Sequence, residues 1–157
     1  MRATLNNNQL SNIKETLEDF KVLLSRYRDI KDDETKLRQF FVRNRNPIWD
    51  ITKCKFFKTG LMSDSAKNME SIDLVDDHYI QRSKAMKFIF SELDNHEDMG
   101  IDRFIGLLKK YCSTVKLSKD EHIRVTVVAK KNPAYLNYES YLACQIKIDG
   151  LSDLMLK

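Results

Sequence analysis

The sequence contains few of the residues that interrupt helices and strands or cross-link the chain. Only 4 glycines and 2 prolines occur in 157 residues, and 42% of the residues are hydrophobic. This composition excludes collagen-like and low-complexity proteins and indicates a globular fold. The 3 cysteines lie far apart, without a C-x-x-C pair. Their spacing argues against a disulfide framework and against a zinc site built on thiolates.

Long apolar runs are also missing. No stretch approaches the roughly 20 apolar residues that span a bilayer, and residues 1–8 lack the apolar core of a signal peptide. The sequence therefore predicts a soluble, cytoplasmic protein with no membrane partner, of a size suited to one domain. A formal net charge of +4 is compatible with a nucleic-acid partner but does not require one.

Much of the chain shows the apolar spacing of three to four residues that is typical of amphipathic helices. The first such pattern predicts a helix over Asn8–Arg28. A second helix follows and ends near Pro47, because proline disfavours helix in the residue before it. Together they form an N-terminal helical hairpin over residues 1–47. The second helix is expected to bury Leu37, Phe40 and Phe41.

Two segments predict the strands of a hairpin, and Ser113–Leu117 is a further short segment that is β-branched. The first is Ile48–Gly60, in which aromatic and apolar residues are mixed with lysines, and the second begins at Ile72 after a polar loop. We expect these strands to pair as a β-hairpin with a long loop. Dense apolar residues then predict an inserted pair of helices over residues 83–111, within a central region that spans residues 48–131.

Capping signals predict two further helices. Ser118 and Glu121 fit the S-x-x-E capping box, which would place His122 in the first turn of a helix. Asn132 followed by Pro133 predicts the start of a C-terminal helical segment over residues 132–157. The predicted fold class is α+β: a mostly helical single domain with a small β-hairpin and helix at its core.

Polar side chains gather where the second predicted strand ends. Asp76, Asp77 and His78 follow one another there, and strand alternation would turn only one of the two carboxylates toward a shared site. The predicted order of elements lets Asp77 and His122 approach one point, with His78 beside them. A carboxylate and an imidazole are suitable ligands for a divalent ion, and a second imidazole could deprotonate water. The alternative is an ordinary polar turn.

Three stretches together resemble the His-Asn-His, or ββα-metal, nuclease superfamily. They are Thr59–Leu61, Leu74–Arg82 and Ser113–His122. In that family a strand ends in an acid or histidine followed by the general-base histidine, and a later helix supplies the last metal ligand. The resemblance implies metal-assisted hydrolysis of DNA phosphodiester bonds on a ββα-metal core.

The resemblance also implies a role for individual residues. Asp77 and His122 would hold one Mg²⁺, Mn²⁺ or Zn²⁺ ion, and His78 would activate the attacking water. Arg82 would clamp a phosphate, although it can also simply pair with an acid. Ser113 stands where the family pattern has its middle asparagine, and its hydroxyl can also hydrogen-bond.

Basic residues supply candidate contacts to the phosphates of DNA. The candidates are Lys53, Lys55, Lys58, Lys116, Arg124, Lys130 and Lys131. A further basic and aromatic group lies on the second predicted helix: Arg38, Phe40, Phe41, Arg43 and Arg45. The alternative for both groups is a solvated helix face and an edge strand protected by lysines. The row Tyr135, Tyr138 and Tyr141 could stack on bases, but its helical spacing favours core packing.

A second hypothesis therefore stays open beside the nuclease. It is a mainly helical protein, of phage or mobile-element origin, that binds a protein or a nucleic acid without catalysis.

Overall fold

The computed structural model describes residues 3–155, which form mostly helices and one small sheet. The helices are α1 (Asn7–Ile30), α2 (Glu34–Asn44), α3 (Asn46–Thr52), α4 (Arg82–Asn95), α5 (Ile101–Cys112), α6 (Lys119–Lys131), α7 (Asn137–Ala143) and α8 (Leu151–Met155). The strands are β1 (Lys58–Met62), β2 (Leu74–His78) and β3 (Thr114–Ser118). The prediction of a mostly helical α+β fold is confirmed. No helix within residues 3–155 is long and apolar enough to cross a bilayer.

The chain divides into two compact units. The first contains the residues up to Phe57 together with Arg82–Cys112, and so includes helices α1 to α5. The second contains Lys58–Gln81 and the chain from Ser113 onward, with the sheet and helices α6 to α8. The helices predicted as an insertion are therefore α4 and α5, which belong to the same unit as the N-terminal helices.

Aromatic side chains form the core of the first unit around Phe90 on α4. Its side chain is fully buried. The ring centroid of Phe90 lies 4.8 Å from Phe20, 5.1 Å from Phe40, 5.4 Å from Tyr27 and 6.0 Å from Phe41. These rings come from α1 and α2. The aromatic residues spaced along each of these helices therefore lie on the face that packs against α4. The predicted helix over Asn8–Arg28 and the predicted inward face of α2 are confirmed.

The strand predicted over Ile48–Gly60 is wrong in its first half. Residues Asn46–Thr52 form helix α3, with proline in its first turn. Proline is favoured there because its fixed φ suits a helix, and because the N–H groups of the first turn have no hydrogen-bond partner within the helix, so the N–H that proline lacks is not needed. Pro47 therefore opens one helix just after α2 ends. Only Lys58–Met62 forms a strand in this region.

The predicted β-hairpin is also wrong, because the first two strands do not pair. The strand order is β1-β3-β2, with β3 parallel to β1 and antiparallel to β2. β3 buries four of its five residues, including both Val115 and Leu117. A strand that is buried along most of its length is suited to the centre of a sheet. β1 and β2 are more exposed and lie at the two edges.

The last predicted helix begins later than the sequence suggested. Asn132 ends α6, since its side-chain amide donates to the Val128 carbonyl at 2.9 Å, and it does not cap a new helix. The backbone N–H of Tyr135 donates to the Asn132 carbonyl at 2.9 Å, which closes a turn around Pro133. Helix α7 therefore begins at Asn137, and the predicted start at Asn132 is wrong.

Candidate active site

The candidate site lies on a strand–strand–helix arrangement in the second unit. β2 runs antiparallel to β3, with Asp77 opposite Val115 and Asp76 opposite Lys116. Helix α6 follows β3 directly and packs against both strands. This arrangement places the end of β2 and the first turn of α6 close together.

A capping box holds the start of α6. The Glu121 backbone N–H donates to the Ser118 hydroxyl at 3.2 Å, and the Ser118 backbone N–H donates to Glu121 Oε2 at 2.9 Å. The Ser63 hydroxyl donates to the same carboxylate oxygen at 2.5 Å. Glu121 is 3% exposed, so these donors satisfy a buried charge. The predicted capping box is confirmed, and it places His122 as the fourth residue of α6.

Asp77 and His122 meet in a hydrogen bond. His122 Nδ1 lies 2.7 Å from Asp77 Oδ1. The second carboxylate oxygen of Asp77 accepts a hydrogen bond from the Tyr141 hydroxyl of α7. Asp77 and Tyr141 are 5% and 1% exposed, whereas the His122 side chain is 40% exposed. We call these three residues the Asp–His–Tyr cluster. Its imidazole is the member that reaches solvent.

The surroundings of the cluster determine which atoms carry protons. Burial raises the pKa of Tyr141 well above its usual range, and the nearby Asp77 carboxylate raises it further. The Tyr141 hydroxyl therefore stays protonated and donates throughout the neutral range. An ionised carboxylate can only accept, so His122 carries its proton on Nδ1 and directs Nε2 away from Asp77. Nε2 is then the nitrogen available to a proton or a metal ion.

His78 is the last residue of β2 and pairs across the sheet with Thr114. Its backbone carbonyl accepts a hydrogen bond from the Asn137 side chain at 2.5 Å, which ties this strand end to the start of α7. Strand alternation directs His78 to the face opposite Asp77. The structure thus brings together Asp77 and His122, while the role of His78 as a base stays a prediction.

Two other predicted catalytic residues have their own surroundings. Arg82 begins α4 in the first unit, and its guanidinium lies 5.1 Å from the centroid of the Trp49 ring. At this distance the two form a cation–π contact. Ser113 is buried immediately before β3. The phosphate clamp proposed for Arg82 and the asparagine-like role of Ser113 stay predictions.

Several of the predicted DNA contacts are already paired within the chain. Lys58 Nζ lies 2.6 Å and Lys116 Nζ 3.1 Å from the carboxylate of Asp76. Burial opposes the charge of Asp76, but the hydrogen bonds from the two lysines outweigh it, and the pKa of Asp76 lies below its usual range. Lys53 pairs with Asp50 at 2.9 Å. These lysines therefore present less uncompensated charge than the sequence suggests.

The remaining predicted DNA contacts are exposed. Arg124 donates from Nη1 to the Cys144 carbonyl at 3.2 Å. Lys55, Lys130 and Lys131 make no ion pair within the part of the chain that the structure describes. Lys130 and Lys131 lie in the last turn of α6, where positive charge also favours the helix dipole.

The donor set available to a metal ion is small. Within residues 3–155, no group of three or more His, Cys, Asp and Glu side chains is placed to hold an ion. The predicted ligands Asp77 and His122 supply one carboxylate and one imidazole. Both oxygens of Asp77 already face proton donors, His122 Nδ1 and the Tyr141 hydroxyl. The pair therefore leaves His122 Nε2 as the donor atom for an ion, which is fewer than the three protein ligands of a typical catalytic zinc site.

Tyr141 is the site residue that the sequence did not identify. Its spacing from Tyr138 indicates a helix face and favours core packing. The structure buries it, as that interpretation predicts, and also bonds it to Asp77 across 64 residues of sequence. No local signal links the two residues, since their contact depends on how α7 packs in the second unit.

Replacing Tyr141 with Phe should lower the free energy of unfolding by about 1.5–3 kcal/mol, since a buried hydrogen bond to a charged carboxylate is lost. Urea unfolding monitored by circular dichroism measures the change. Tyr138→Phe on the same helix is the matched control, because this substitution removes the same hydroxyl from a less buried side chain. Equal stabilities of the two variants would show that the Tyr141 hydroxyl does not support Asp77.

Comparisons of the chain with protein-family models, with curated proteins and with solved structures found no match.

Proposed function

We propose that this protein is an endonuclease that hydrolyses phosphodiester bonds of DNA at the Asp–His–Tyr cluster. The observation that supports this most is the 2.7 Å hydrogen bond between Asp77 and His122 on a strand–strand–helix arrangement. These are the two residues, and the order of elements, that the resemblance to the His-Asn-His superfamily implies. The location of the protein in the cytoplasm and its phage or mobile-element origin stay predictions.

Each member of the cluster has a distinct task in this proposal. Tyr141 donates to Asp77 and so holds the carboxylate in one orientation. Asp77 in turn fixes the ring and the tautomer of His122, which leaves Nε2 directed toward solvent. A buried carboxylate that orients a half-exposed imidazole is a common way to prepare that imidazole for chemistry.

The proposal includes one divalent ion, Mg²⁺, Mn²⁺ or Zn²⁺, for which the resemblance implies Asp77 and His122 as ligands. In the structure the two oxygens of Asp77 face His122 Nδ1 and the Tyr141 hydroxyl, so His122 Nε2 would hold the ion and Asp77 would orient that imidazole. When bound, such an ion would neutralise charge on the scissile phosphate and on the departing oxygen. The resemblance implies that His78 takes the proton from the attacking water. Strand alternation directs His78 to the face opposite Asp77, so this role is the part of the proposal that His78→Ala tests. The phosphate contact that the resemblance implies for Arg82, which belongs to the first unit, stays a prediction.

Plasmid nicking tests this function directly. Wild-type protein should convert supercoiled DNA to the nicked form with Mg²⁺, Mn²⁺ or Zn²⁺ and lose the activity with a chelator. His122→Ala and His78→Ala should each lower the rate by about 10²-fold or more. His96→Ala is the matched control, because His96 is the third of the 3 histidines and lies between α4 and α5, in the first unit. Its rate should equal that of the wild type.

Two results would contradict the proposal. Wild-type protein that nicks DNA with none of the three ions would exclude the nuclease. Nicking that survives both His122→Ala and His78→Ala would exclude the site.

One observation favours a second candidate, the non-catalytic binding protein. Large apolar side chains on α6 and α7 are exposed to solvent: Ile123 by 60%, Val127 by 48% and Leu142 by 72%. Ile123 and Val127 lie one turn apart on the same helix face. A binding protein of this kind would show no metal-dependent shift in its melting temperature and no loss of binding on His122→Ala.

A further inference from the structure

A groove with a basic lining lies between α2 and the first turns of α4, in the first unit. Its volume is about 510 Å³. The lining includes four basic residues, Arg38, Arg45, Lys84 and Lys87, against one acid, Glu34. The first turn of α4 contains no acidic residue. The groove is therefore a site of positive potential on the surface of this unit.

Three of the four basic residues of the groove carry charge that no acidic side chain in the described part of the chain compensates. Arg38, Arg45 and Lys87 make no ion pair within residues 3–155. In contrast, Lys58 and Lys116 share the carboxylate of Asp76. Arg38, Arg45 and Lys87 are therefore better candidates for phosphate contacts than Lys58 and Lys116.

The spacing of two arginines of the groove matches the spacing of phosphates along a DNA strand. Arg38 lies on α2, and Arg45, seven positions later, is the helical C-cap residue that follows it. Seven positions are two helical turns, or about 10 Å along the axis. Three nucleotides of one DNA strand rise by about the same distance. The two guanidiniums lie on one face of the helix and can contact phosphates that are a few nucleotides apart.

The apolar residues at the floor of the groove favour a nucleic acid over an acidic peptide as the ligand. Leu37, Phe41 and Met86 form this floor and are 8%, 5% and 0% exposed, whereas Val42 in the same lining is 48% exposed. An amphipathic acidic helix would need a row of apolar pockets for its anchor residues, and a single exposed valine does not supply one. Phosphates need only the basic rim.

We propose that this groove binds the sugar–phosphate backbone of double-stranded DNA without reading its sequence. The inference rests on the proposed nuclease function, from which it takes DNA as the ligand. It assigns binding to Arg38, Arg45, Lys84 and Lys87 and leaves the chemistry to the Asp–His–Tyr cluster.

Fluorescence anisotropy with a labelled duplex of mixed sequence tests the groove on the full chain. The double variant Arg38→Glu/Lys87→Glu should bind at least about 10-fold more weakly than the wild type at 100 mM salt. The slope of log affinity against log salt concentration should fall by about two, one for each lost phosphate contact. Lys14→Glu/Arg26→Glu on the exposed side of α1 carries the same charge change and is the matched control. It should bind much more tightly than the groove variant.

The outcomes separate this inference from the proposed function. Equal binding by the groove variant and the control overturns the groove, even if plasmid nicking proceeds as proposed. Weak binding by the groove variant together with no nicking under any ion supports the groove and overturns the nuclease. His122→Ala should bind the duplex like the wild type. A groove that binds a polyglutamate peptide but no DNA would overturn the choice of ligand.

Discussion

Replacing Asp77 with Asn should lower the rate of DNA cleavage by about 10²- to 10⁴-fold and leave the fold intact. The Asn carbonyl can still accept from the Tyr141 hydroxyl, which donates to Asp77 in the wild type. The Asn amide then faces His122 Nδ1, which must accept its proton. His122 would carry its own proton on Nε2, and that nitrogen could bind neither a metal ion nor a proton.

Asp76→Asn is the matched control for this prediction. Asp76 is the preceding residue of β2, and it pairs with Lys58 and Lys116 and not with the Asp–His–Tyr cluster. Partly exposed ion pairs contribute little to stability, so this variant should cleave DNA at nearly the wild-type rate. Initial rates of plasmid nicking compare the two variants. Equal losses in both, or wild-type cleavage by Asp77→Asn, would contradict the role given to Asp77.

Replacing Phe90 with Ala should lower the free energy of unfolding by about 3–5 kcal/mol. Phe90 is fully buried, and its ring centroid lies within 6.0 Å of the rings of Phe20, Tyr27, Phe40 and Phe41. The substitution removes the ring that joins α4 to α1 and α2, and the surrounding rings can only partly fill the cavity. Because domains are stable by only about 5–15 kcal/mol, this loss would be a large part of the total.

Phe88→Ala tests whether position matters more than ring size. Phe88 lies on the same helix, is less buried than Phe90, and stacks on Tyr111 at 5.0 Å. Urea unfolding should give a loss of about 1–2 kcal/mol for this variant. A Phe90→Ala protein as stable as Phe88→Ala would contradict the view that the aromatic cluster stabilises the first unit.

Helices could be predicted from the sequence because their signals are local. The pattern of apolar residues placed the first helix at Asn8–Arg28, and α1 spans Asn7–Ile30. The capping box placed His122 in the first turn of α6, which the structure confirms. In both cases the residues that decide the structure lie within one or two turns of each other.

Strand pairing could not be predicted in the same way. The pattern of Ile48–Gly60 predicts one long strand, but helix α3, which has Pro47 in its first turn, extends to Thr52. The strand that organises the sheet is β3, which pairs with both of the others. Its short β-branched sequence indicates a strand but does not say which partners it takes, because partners are chosen by burial in the folded chain.

The sequence by itself determined the helical class of this protein and identified both Asp77 and His122. Both residues stand beside local signals, namely the end of a predicted strand and the capping box at the start of a helix. Only the tertiary structure decided that these side chains, 45 residues apart, share a hydrogen bond. It also added Tyr141 as the second donor to Asp77. A buried carboxylate must find its donors wherever packing places them, and that placement depends on contacts between segments that are distant in the sequence.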